Sequence, residues 1–136
     1  MRLSVGDRLE ISELVGRYML ALDARDGEAL AAMFTLEGVL EVQGELVRGR
    51  RALVDFVDRG TATYTGGKRH WTNNIVIDGD GDSATMSCYL MVIDTVDGSR
   101  ISVSGRYDDD LAKVDGRWLF AHRRIHFDHF DPHLRT

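Results

Sequence analysis

Three residues of this chain combine chemistry with an unexplained position: Tyr18, Asp23 and His70. Ile11, Leu14, Val15, Tyr18 and Leu22 follow the i, i+3, i+4, i+7 spacing of one helical face. Tyr18 therefore sits on a buried stripe, and its hydroxyl must find a partner inside. Asp23 falls where that helix ends. Nearby Asp26, followed by Gly27 and Glu28, has an ordinary task as the N-cap of a second helix. Asp23 has no such task, which leaves it for chemistry. His70 opens a strand in KRHWTNN, and alternation puts His70, Thr72, Asn74 and Val76 on one face. That row makes an odd core but a reasonable pocket lining. The plainer alternative is a core or edge histidine with a satisfied hydrogen bond.

Two later strands add polar groups. Asp94 is in phase with the apolar row Ala84, Met86, Cys88, Leu90 and Val92, although a solvated strand-end residue would look the same. In the last strand, strict alternation puts Trp118, Phe120, His122, Arg124 and His126 on one face. Leu119, Ala121, Arg123, Ile125 and Phe127 take the other. One of the two adjacent arginines must point into the sheet, and alternation leaves the choice open. A guanidinium below aromatic side chains could reach a deep carboxylate or a developing oxyanion. The tail HRRIHFDHFDPH carries His122, His126, His129, His133, Asp128 and Asp131. None of these has the spacing of a known ligand set, so no metal is expected. No GxGxxG or GxxxxGK nucleotide loop occurs, and no GxSxG elbow. These absences favour a site that works without a cofactor.

The elements that must position these residues can be read in order. Ser4 and Asp7 have the spacing of a capping box and start the first helix. A short second helix runs from Gly27 to about Phe34, with Leu30, Met33 and Phe34 facing inward. A hairpin follows, Val39–Val42 and Glu45–Arg48 around Gln43-Gly44, then a third helix from Arg50 to about Arg59. Gly60–Gly67 reads as a loop. Four long strands come next, Lys68–Asp78, Ser83–Thr95, Ser99–Lys113 and Arg117–Phe130, separated by the turns DGDGD, VDGS and VDGR. They form an antiparallel meander, and strands of that length twist and curl around a concave face. The single Pro132 follows the last strand, as uninterrupted ladders require. The expected fold is α+β, three N-terminal helices on a strongly curved, mostly antiparallel sheet of about six strands.

The chain has 136 residues, the size of a single domain, and a net charge of −5 from 17 basic and 22 acidic residues. It has no basic run or stripe, which argues against nucleic acid or an anionic membrane as partner. One cysteine, Cys88, excludes an internal disulfide and fits a reducing cytoplasm. No apolar leader or stretch of membrane-spanning length is present. The outer face of the long sheet carries Tyr89, Met91 and Ile93, which points to a homodimer or homotrimer through that face.

From about Asp7 to Phe130 the chain resembles a SnoaL-like member of the nuclear transport factor 2-like superfamily. The resemblance is carried by YMLALDARDGEALAAMFT, RHWTNNIVIDGDGDSAT and GRYDDDLAKVDGRWLFAHRRI. Within that cone-shaped fold it is similar to the cofactor-independent lyases: scytalone dehydratase, bile-acid 7α-dehydratase and hexachlorocyclohexane dehydrochlorinase. The resemblance implies an Asp–His dyad of Asp23 and His70, with Tyr18 and Arg124 as further catalytic groups. Asp94 matches weakly a second aspartate of some relatives. The chain departs from limonene epoxide hydrolase, whose site needs carboxylates and an arginine on central strands. It also departs from ketosteroid isomerase, which has a pair of buried carboxylates.

The implied activity is a lyase or isomerase reaction on a small hydrophobic cyclic molecule. Asp23 would fix the tautomer of His70, whose other nitrogen would take a carbon-bound proton. Tyr18 would donate to a leaving or carbonyl oxygen, and Arg124 would stabilise the anion. Met33, Phe34, Phe56, Met86, Leu90 and Trp118 would form the apolar wall, with Asn74 and Asp94 as polar contacts. The superfamily also hosts cyclases, hydrolases and non-catalytic binding or assembly modules, and those readings remain beside this one.

Overall fold

The first helix, α1 (Val5–Asp23), begins at the expected capping box: the Asp7 amide donates to Ser4 Oγ at 2.9 Å and the Ser4 amide to Asp7 Oδ2 at 3.0 Å. Its buried stripe is Ile11, Leu14, Val15, Tyr18, Met19, Ala21 and Leu22. It stops in a Schellman turn. Arg25 adopts a left-handed conformation (φ 56°), the Asp26 amide donates to the Ala21 carbonyl and the Arg25 amide to that of Leu22. Reversal there frees Asp26 to cap α2 (Gly27–Ala31) by accepting from the Ala29 amide at 3.0 Å. The computed structural model describes residues 2–62, 67–96 and 98–128.

The second helix is shorter than the sequence suggests. Phe34 is the first residue of β1 (Phe34–Val42), which turns through Gln43 and Gly44, both at positive φ, into β2 (Glu45–Arg48). The third helix, α3, spans Arg50–Ala62 and so takes up the start of the expected loop, whose residues 63–66 lie outside the described residues. The four long strands are β3 (Lys68–Asp80), β4 (Ser83–Asp94), β5 (Arg100–Val114) and β6 (Arg117–Phe127). The expected continuation to Phe130, with His129, Asp131, Pro132 and His133, also lies outside the described residues.

All six strands form one sheet in the order β2-β1-β6-β5-β4-β3. Every pairing is antiparallel except β1 with β6. Helix α1 crosses the inner face and is tied at both ends. Near its start Asp7 accepts from the Trp118 indole (3.0 Å) and Lys113 (3.1 Å), Glu10 from the Trp118 amide, and Arg8 donates to the Ile77 carbonyl. At its end Asp23 binds the start of β3. The architecture is the expected α+β one. No helix among the described residues is long and apolar enough to cross a membrane.

Two bulges change which side chains face inward. Asn73 pairs with Tyr89 and Val76 with Ser87, so Asn74 and Ile75 together oppose one residue of β4. Leu111 pairs with Phe120 and Asp110 with His122, so Ala121 has no counterpart on β5. One extra residue flips the face of everything beyond it. On β6 the buried row therefore runs Trp118, Phe120, then Arg123 and Ile125.

Candidate functional site

Asp23 and His70 meet where the last turn of α1 reaches the first residues of β3. His70 Nδ1 lies 2.6 Å from Asp23 Oδ1, and the His70 amide donates to both carboxylate oxygens at 3.2 and 3.3 Å. A carboxylate only accepts, so Nδ1 carries a proton and donates it to Asp23. Among the described residues nothing is hydrogen-bonded to Nε2. The imidazole is 2% exposed and the Asp23 side chain 13%. One carboxylate thus orients the ring and anchors the strand that carries it. The arrangement supplies an oriented imidazole in a largely dry setting.

Asp94 and Lys68 form a second pair on the same side of the sheet. They are directly opposed on β4 and β3, two residues along from Val92 and His70. Lys68 Nζ is 3.4 Å from Asp94 Oδ2, and the carboxylate also accepts from the Val96 amide at 3.0 Å. That amide bond, with Lys68 and Arg100 beside it, holds the Asp94 carboxyl below its ordinary value. Asp94 is therefore tied into the strand end and its buried lysine.

Tyr18 is buried, but it is not in the dyad. Asp23 lies five positions further along α1, about 7.5 Å along the helix axis. Its ring packs against Phe34, Tyr107 and Phe120, with centroids 6.2, 6.3 and 5.5 Å away. Burial pushes its hydroxyl up to about 12, so it stays a neutral donor through the physiological range.

The arginine beside Tyr18 is Arg123. Its guanidinium carbon lies 4.3 Å from the Tyr18 ring centroid, 3.7 Å from that of Tyr107 and 4.4 Å from that of Phe120. This corrects the assignment to Arg124, which lies on the outer face and donates to Asp110 at 2.9 Å. The reason is the bulge at Ala121, which exchanges the two arginines between faces. Opposite Arg123 on β5 stands Asp109, and both side chains are fully buried. A carboxylate and an arginine thus do share the central strands. Sequence reasoning missed Asp109 and Tyr107, although the alternation Tyr107, Asp109, Leu111 within GRYDDDLA marks the middle aspartate as the inward one.

The residues expected to form the apolar wall fall in different places. Met86 and Leu90 are buried on the inner row of β4, and Phe34 is buried beside Tyr18. Met33 and Phe56 are half-buried against the core. Trp118 instead closes the far end, where its indole N–H is bonded to Asp7. Asn74 is exposed in the left-handed conformation (φ 57°) at the β3 bulge, a correction with the same cause. It lines a cavity of about 220 Å³ with Val76, Ser87, Cys88, Tyr89 and Arg106, on the side of the sheet away from α1. Among the described residues no three His, Cys, Asp or Glu side chains are grouped to hold a metal.

A protein of unknown function with a cystatin-like fold from Nostoc punctiforme is 33% identical, over 98% of this chain and all of the other, with a TM-score of 0.90. A nuclear transport factor 2-like protein with a cystatin-like fold from Novosphingobium aromaticivorans is 25% identical over 94% of this chain and 86% of its own, with a TM-score of 0.84. A second protein of that organism, provisionally assigned as a scytalone dehydratase, is also 25% identical. It covers 97% of this chain and 91% of its own, with a TM-score of 0.80. No curated protein matches the chain in sequence. The model of the SnoaL-like domain matches residues 4–124, and this chain, with its helix-lined six-stranded cone, belongs to the SnoaL-like family of the nuclear transport factor 2-like fold.

Proposed function

We propose that the protein is a cofactor-independent, dehydratase-like lyase or isomerase in which His70 removes a carbon-bound proton from a small hydrophobic cyclic substrate. The observation that carries this reading is the 2.6 Å contact between His70 Nδ1 and Asp23 Oδ1. In this reading Nε2 is the base, and the proton passes from the substrate carbon to that nitrogen. Asp23 stabilises the imidazolium that forms. The electron pair left on carbon either expels a hydroxyl as water or moves into a conjugated carbonyl. Tyr18, neutral at physiological pH, is the proton donor proposed for the departing or carbonyl oxygen. The likeness to a protein provisionally assigned as a scytalone dehydratase supports the reaction class.

The test starts from the wild type, screened against hydroxylated ring compounds by ultraviolet absorbance and loss of water in the mass spectrum. On the best substrate, His70→Gln and Asp23→Asn should each lower turnover by about 10²–10⁴-fold, with thermal stability nearly unchanged. Because the two act as one unit, the double variant should be little worse than the worse single. Tyr18→Phe should cost less, since the ring still packs. If the dyad variants unfold and residual activity follows the folded fraction, the pair is structural. The protein would then be a binding module of the same fold.

A further inference from the structure

Asp109 and Arg123 oppose each other across β5 and β6, point into the cone, and are both 0% exposed. Their nearest atoms, Arg123 Nε and Asp109 Oδ1, are 3.5 Å apart, and they are not hydrogen-bonded. Both Asp109 oxygens and all three Arg123 nitrogens are buried without a hydrogen-bond partner. The rings of Tyr107, Tyr18 and Phe120 balance the charge of the guanidinium. They do not accept its in-plane N–H groups. So many orphaned polar atoms in one place call for a polar guest.

We propose that Arg123 and Asp109 form an interior receptor for a delocalised oxyanion on a flat ring, such as an aryl carboxylate or an enolate, and that binding it draws one proton onto Asp109. The shape follows from the parts. A guanidinium presents paired in-plane donors that match a planar oxyanion, and the aromatic side chains around it suit a flat ring. The proton follows from competition. One guanidinium cannot satisfy two negative groups in a dry interior, so the arriving anion drives the carboxylate to its neutral form. The proton comes from solvent, and the Asp109 O–H becomes a further donor.

The surroundings fit this coupling. Tyr18 from α1, Tyr107 from β5 and Cys88 from β4 face the interior pair, while Asp108, Asp110 and Arg124 act from neighbouring strand positions. Burial pushes the Asp109 carboxyl up to about 7, with Asp108 and Asp110 adding to the rise and Arg123 and Arg124 opposing it. Burial also keeps the Tyr18, Tyr107 and Cys88 side chains neutral near pH 7. The inference does not need His70 to be a base.

Benzoate is the probe, because it stays ionised from pH 6 to 8 and has no proton for the dyad to remove. Calorimetric titration in phosphate and in Tris counts the protons taken up per benzoate. Uptake should approach one near pH 8 and fall below one half near pH 6, and affinity should weaken up to tenfold between pH 7 and 8. Arg123→Met should weaken binding at least tenfold. Asp109→Asn should abolish both the proton uptake and the pH dependence, which decides the matter should Arg123→Met fail to fold. His70→Gln should bind benzoate like the wild type, so the receptor and the dyad fail separately. No benzoate binding would assign the orphaned atoms to ordered water and overturn the proposal, as would unchanged binding by Arg123→Met or binding without proton uptake.

Discussion

The buried carboxyl of Asp109 makes a quantitative claim about stability that one substitution isolates. Burial moves it from the ordinary value of 3.8 to about 7, while an unfolded chain would titrate it near 3.8. Between those values the folded protein holds a proton that the unfolded one has released, so stability falls as pH rises through this window. The contribution is complete below about 3.8 and lost above about 7. At about 1.4 kcal/mol for each pH unit, the loss amounts to about 4 kcal/mol. Asp109→Asn keeps nearly the same volume and removes the titration. Urea unfolding of both proteins at intervals from pH 4 to 8.5 gives two stability curves, and their difference removes the other titrating groups. The wild type should lose about 4 kcal/mol relative to Asp109→Asn across the range. With a slope near 2 kcal/mol per molar urea, that is a relative midpoint shift of about 2 M. A flat difference would refute the reasoning. A difference that grows in favour of the wild type with rising pH would show that attraction to Arg123 outweighs burial.

Two further predictions concern the start of α1 and the outer face. The Trp118 indole, the Ser4 amide and Lys113 hold the Asp7 carboxyl well below its ordinary 3.8, so its contribution is present above that value and is lost as pH falls beneath it. Asp7→Asn should therefore flatten the acid limb of the stability curve, and an unchanged limb under thermal melting at pH 2–4 would count against the link. On the outer face Trp71, Tyr89 and Ile101 are more than half exposed and Met91 stands beside them. We propose that a second copy of the chain covers them, so Trp71→Glu with Tyr89→Glu should convert an oligomer to a monomer by analytical ultracentrifugation. A wild type already monomeric at micromolar concentration would refute this.

Local chemistry made much of the fold legible in the sequence. The Ser4/Asp7 box, the Asp26 cap, the apolar stripe of α1 and the Asp-Gly turns act over a few residues, and they mark the same elements in isolation as in the fold. The contact between Asp23 and His70 was legible for a related reason. Asp23 stands at a helix end without a capping task, and His70 heads a strand before any bulge intervenes, so simple alternation gives its face correctly.

Only the tertiary structure could decide what lies beyond each bulge. An extra residue at Ala121 or at Asn74–Ile75 is set by how the sheet must curve to close over α1, which is a property of neighbouring strands rather than of the segment itself. Because side chains alternate with a period of two, the insertion at Ala121 exchanged Arg123 for Arg124 and the one at Asn74–Ile75 put Asn74 outside. The insertion at Ala121 also decided that the buried arginine would stand opposite Asp109 and beside Tyr18, a meeting of three segments that no one of them specifies alone.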